Sequence, residues 1–126
     1  MIPTDKELSL SFKNGRPSES VPETTRLLQQ EDVLTETTLL AEHIGWNYNA
    51  VLTGLYFKLA ADVWKAVVKC EMAGGPKVAY FTGPSLYQLV ETVHWYAKRG
   101  YIEWHHDKRP VRVSKRRGVY KRKGTS

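Results

Sequence analysis

The chain has 126 residues, 41% hydrophobic and 25% charged, which fits one globular domain able to bury a modest core without staples. Its net charge of +6 belongs to one end: residues 98–126 hold 11 Lys or Arg against Glu103 and Asp107, a net of +9, while residues 1–97 carry a net of −3. A lone cysteine, Cys70, excludes an intramolecular disulfide, and the absence of a signal-like apolar start or of any run near the ~18 residues of a membrane span predicts a soluble intracellular protein, cytoplasmic or nucleoid-associated, with no membrane partner.

In chain order, residues 1–22 hold Pro3, Gly15, Pro17, Pro22 and several Ser, and predict a flexible arm in which Leu8 to Phe12 supply at most one edge strand. A short helix is expected over 23–34, with Leu27, Leu28 and Val33 turned inward. Thr35 then suits the cap of a second helix over 35–45, with Glu36 in its first turn, Leu39, Leu40 and Ile44 on its apolar side and Gly45 as its stop. Val51, Leu52, Leu55, Leu59, Val63, Val67 and Cys70 continue the helical spacing and predict a third helix over 48–73, about 38 Å long at ~1.5 Å per residue. Cys70 falls on that stripe and reads as a small buried hydrophobe. Gly74-Gly75-Pro76 ends it, and the alternation over 77–81 predicts a strand.

The stretch 85–114 organises this reading. Ser85 and Gln88 have the form of a capping box, and Leu86, Leu89, Val90, Val93 and Ala97 make one apolar face of a helix over 85–99. Lys98 and Arg99 complement its dipole, and Gly100 can stop it in a left-handed conformation. Two short alternating segments follow, 101–105 and 111–115, joined by the charged loop from His105 to Pro110; with 77–81 they predict a small antiparallel sheet. This order, a helix ending in Lys-Arg-Gly-Tyr-Ile-Glu, a basic loop, then Arg-Pro-Val-Arg-Val-Ser, resembles the second half of a winged helix-turn-helix domain. Ala41, Gly45 and Val51 likewise match the small, turn and branched positions of a plain helix-turn-helix, a spacing that ordinary helix pairs also satisfy. The resemblance implies an α+β, mainly α fold over 23–115, followed by a basic tail over 116–126, in which a helix enters a DNA groove and the hairpin lies along the phosphates.

Site residues follow from that layout. Gln88 and Thr92 face outward from the helix, where they can bond base edges. Lys108, Arg109, Arg112, Lys115, Arg116, Arg117, Lys121, Arg122 and Lys123 are placed to meet phosphates, with Tyr120 among them able to stack on a base. Tyr87 and Trp95, on the same helix face, suit a protein interface equally well. His105, His106 and Asp107 are the only cluster that suggests chemistry, but neighbours on an extended strand point to opposite faces and no second ligand group supports them. The expectation is therefore a DNA-binding regulator of transcription or replication, viral or mobile-element encoded, without catalytic residues, metal or cofactor. Trp46, Phe57 and Trp64 are candidates for a homodimer interface. Two alternatives stay open: an adaptor or inhibitor gripping a protein partner through the basic end, and binding of single-stranded nucleic acid or RNA.

Overall fold

Alternation, not helical spacing, governs the middle of the chain. The computed structural model describes residues 6–14 and 16–107. The elements are β1 (Lys6–Lys13), β2 (Arg16–Ser20), α1 (Pro22–Gln30), α2 (Leu34–Tyr48), β3 (Val51–Ala60), β4 (Val63–Met72), β5 (Gly75–Gly83), α3 (Leu86–Arg99) and β6 (His105–His106). The strands form one antiparallel sheet in the order β2-β1-β3-β4-β5-β6. Among the described residues strand outweighs helix, 44% against 38%, so the expectation of a mainly α winged-helix fold is overturned.

The largest correction is the helix expected over 48–73, which is instead the β3–β4 hairpin. Two local features hid it. A bulge between Leu52 and Gly54 shifts the register, so Leu52 and Leu55 share the buried face at a separation that imitates a helical stripe. The hairpin then turns on Ala61 and Asp62, both at positive φ (52° and 65°), a two-residue turn of primed type without the Asn-Gly or Asp-Gly that usually announces it. Once the bulge is passed, Leu55 and Phe57 alternate strictly, as do Ala66, Val68 and Cys70 on the partner strand.

The N-terminal stretch expected as an arm supplies β1 and β2, and β1 lies inside the sheet between β2 and β3 rather than at an edge. Its exit is tied down by buried Thr24 of α1, whose Oγ1 accepts the Ser9 amide at 2.9 Å where strand pairing with β2 has ended. The helix expected over 23–34 stops at Gln30, and Val33 precedes α2 without a side-chain cap, so Thr35 does not play that part. α2 runs through Gly45 and ends at Asn49, which takes the left-handed conformation (φ 52°) and donates its amide to the Gly45 carbonyl at 3.1 Å. Val51 is an exposed strand residue, so Ala41, Gly45 and Val51 do not form a helix-turn-helix.

α3 matches its expected form. Ser85 Oγ accepts the Gln88 amide at 3.1 Å, Gly100 closes the helix at φ 75°, and Leu86, Leu89, Val90, Val93 and Ala97 are all buried. The strand expected over 77–81 lies within β5. The strand expected over 101–105 shrinks to His105–His106, which pairs with β5 through Val78 and Lys77, and the stretch 111–115, the other strand of the expected wing, lies outside the described residues.

One face of the sheet carries Leu8, Leu10, Leu55, Phe57, Ala66, Val68 and Ala79, all buried under α2 and α3. Burying a Val, Leu or Phe contributes roughly 1.5–3 kcal/mol, so this side supplies most of the stability. Asn47 of α2 ties the two helices together, donating through Nδ2 to the carbonyls of Ala97 and Lys98 at 2.7 and 2.9 Å and so capping the end of α3. No helix among the described residues is long and apolar enough to cross a membrane.

Candidate nucleic-acid interface

Among the described residues no helix lies over the other face of the sheet, and its side chains fall into three rows across the strands. The register aligns Ser9, Tyr56, Val67 and Tyr80 in the middle row. Two residues along each strand, Glu7, Lys58, Lys65 and Thr82 form a second row. On the other side of the middle row lie Ser11, Gly54, Lys69, Val78 and His105. Strand alternation thus puts two tyrosines between flanking lysines on one surface.

The charges on this surface are only partly matched. Lys69 Nζ lies 3.4 Å from Asp107 and 5.7 Å from the centre of the Tyr56 ring, and Lys58 reaches Glu7 at 3.9 Å. Lys65 has no ion-pair partner among the described residues. At the rim, Lys77 Nζ and His106 Nδ1 stand 3.4 Å apart, and the rings of Tyr80 and His105 lie 6.1 Å apart. Tyr56 borders two open grooves, about 1040 Å³ toward Tyr80 and Asp107 and about 480 Å³ toward Val21 and Glu7.

The chain leaves the described structure at this surface. After α3, Ile102 buries its side chain and donates its amide to Tyr48 Oη at 2.7 Å, while the Trp104 ring meets Tyr48 edge-on. Asp107 then donates its amide to the Pro76 carbonyl at 3.1 Å. The basic segment therefore starts at the groove's rim. Lys108, Arg109, Arg112, Lys115, Arg116, Arg117, Lys121, Arg122 and Lys123 lie outside the described residues.

Gln88 and Thr92 are elsewhere. They line a cleft on the helical side with Glu36, His43, Glu91, His94, Lys98 and Arg99, where two carboxylates and two cations offset each other. His94 Nδ1 is held by Glu36 at 2.6 Å. Burial, then the neighbouring His94 and Lys98, hold the His43 imidazole below its ordinary 6.5, against the pull of Glu42 and Glu36. Asn47, Asn49 and Thr53 are committed to structure: Asn47 caps α3, Asn49 ends α2, and Thr53 Oγ1 donates to the Lys69 carbonyl at 3.1 Å. Of the expected dimer residues, Phe57 is buried in the core and Trp64 half-buried, whereas Trp46 is 71% exposed.

Cys70 is buried, which pushes its thiol up to about 12 and removes it as a nucleophile. No group of three or more His, Cys, Asp or Glu that could hold a metal occurs among the described residues. The residues that sequence reasoning missed are Tyr56, Lys58, Lys65, Lys69 and Tyr80. Their signal was the alternation Tyr-x-Lys over 56–58 and Lys-x-Val-x-Lys over 65–69, visible once those segments are read as strands. Compared with protein-family models, curated proteins and solved structures, the chain matches none.

Proposed function

We propose that this protein is a nucleic-acid-binding module that uses the open face of its sheet together with the basic segment after Asp107. The observation that carries the reading is the middle row of tyrosines set between lysines, on a face that none of the described helices covers, with the basic segment following Asp107 at its rim. Residues 108–126 hold nine Lys or Arg and no acid, a charge that would release counterions from a phosphate backbone. A wing laid along a groove has no part in this reading, because the fold that implied it is not the fold of the chain.

The test is a salt titration of oligonucleotide binding to the full chain. Binding should weaken linearly in log K against log salt, and Lys58→Gln with Lys65→Gln should lower the slope by about 1.4, at ~0.7 per phosphate on a single strand. Affinity that ignores salt, or no binding at low salt, overturns the proposal.

A second reading is favoured by the helical side, where Trp46, Trp95, Tyr96 and Tyr101 are exposed together and Arg99 stacks 4.3 Å over Trp95. Aromatics and Arg are the residues that interface cores concentrate, so this side suits a protein partner or a second copy of the chain. Light scattering that stays monomeric at high concentration removes the second copy.

A further inference from the structure

We infer that the open face takes unpaired bases, and that Tyr56, its ring end lodged over Gly54 of β3, is a stacking platform for one of them. The inference rests on the nucleic-acid reading above and names its ligand class. Its basis is Gly54. A Cβ at residue 54 would stand 2.7 Å from Tyr56 Oη, 2.8 Å from Cε2 and 2.9 Å from Cζ, closer than side chains pack. The Tyr56 ring therefore lies over a gap that only glycine leaves, two residues back on the same face of the same strand. The hydroxyl end of the ring lies against the strand at Gly54, Lys69 Nζ stands over the ring 5.7 Å from its centre, and 37% of the residue remains exposed. An aromatic placed to cover a glycine also shields a weak point in a strand, yet that role alone does not call for the lysines around it.

The surroundings fit a nucleotide. Lys69 Nζ stands 5.7 Å from the ring centre, within reach of the phosphate of a base stacked there, and for now is paired with the Asp107 carboxylate. Tyr80, 63% exposed, sits on the same row two strands away, about 9.6 Å at ~4.8 Å per strand, with the short Val67 between. The Lys58–Lys65 row runs parallel to the tyrosines about 7 Å off, at ~3.4 Å per residue along the strand. That offset is of the order of the reach from a base to its own phosphate. A duplex hides its base faces inside the stack and offers only edges and backbone, so a flat aromatic surface between lysines discriminates for the single strand.

The experiment measures fluorescence anisotropy of labelled 12-residue single-stranded DNA, single-stranded RNA of the same sequence, and the matching DNA duplex. It uses the full chain as wild type, Tyr56→Phe and Tyr56→Leu, each checked for its melting transition. The proposal expects either single strand to bind tighter than the duplex. It expects Tyr56→Leu to weaken single-strand binding about 5- to 150-fold, the loss of one stacked base, with an unchanged salt slope, and Tyr56→Phe to restore it. A folded Tyr56→Leu protein that binds like wild type, or a preference for duplex, overturns the platform while leaving phosphate binding intact. Absence of salt-dependent binding by the wild type to all three probes overturns the underlying reading as well.

Discussion

On the covered face of the sheet Leu55, Phe57, Ala66, Val68 and Ala79 are each at most 2% exposed, whereas one residue along the same strands Tyr56, Lys65 and Tyr80 stand in solvent. The same backbone therefore carries two surfaces with separate duties. The covered face is apolar throughout and meets α2 and α3, so its residues decide whether the chain folds. The open face mixes rings and ammonium groups, the composition that the proposed binding surface uses. The difference teaches that neighbours in sequence should respond oppositely to substitution, and that prediction can be broken.

Phe57 and Tyr56 give the largest contrast. Phe57→Ala leaves a cavity under the helices and should cost about 3–5 kcal/mol in urea unfolding. Tyr56→Leu, one residue away, should shift stability by less than about 1 kcal/mol, the scale of a cross-strand pair. Equal losses at the two positions would merge the two faces into one structural unit. A smaller effect is expected at Asn47, whose removal by Asn47→Ala takes the side-chain donor from the carbonyls of Ala97 and Lys98, the first of which still accepts the Gly100 amide at 3.3 Å. Stability should fall by about 1–2 kcal/mol with oligonucleotide affinity unchanged, because the cap belongs to the helical side.

The smallest effect concerns pH. His43 is faced by His94 and Lys98 of α3 and by Glu36 and Glu42 of its own helix, and burial leads the causes that lower its pKa from 6.5. With the folded value below the unfolded one, the unfolded chain binds the proton more readily. The contribution is thus fully present above pH 6.5 and is lost as pH falls through 6.5 toward the folded value. Thermal melts of His43→Asn should show a shallower decline than wild type over that window, and parallel curves would remove His43 as the cause.

The legible parts of the sequence were those where local signals and tertiary structure agree. α3 could be read whole because Ser85, its five apolar positions and Gly100 all mark the same helix. β5 was visible from alternation alone. The β3–β4 hairpin was not, because a bulge placed Leu52 and Leu55 three apart on one face and an Ala-Asp turn carried no hairpin signature. β1 and β2 were masked by Pro17 and clustered Ser, tolerated because β2 is an edge strand. The misread hairpin also shaped the choice of candidate site. Gln88 and Thr92 belonged to a correctly placed helix on the other side of the molecule, while Tyr56 and the lysines beside it were hidden in the misread hairpin. Only the basic character of the C-terminal end, a matter of composition, needed no structure to be seen.

The central claim is that the open face of the sheet, not the helical face, receives the ligand. Amide NMR shifts of the labelled full chain, followed during titration with a short single-stranded oligonucleotide, test it most directly. The account predicts perturbations centred on Tyr56, Val67, Lys69 and Tyr80, with Gln88, Thr92 and His94 unmoved. Shifts confined to the α2–α3 cleft, with the Tyr56 row unchanged, would contradict it.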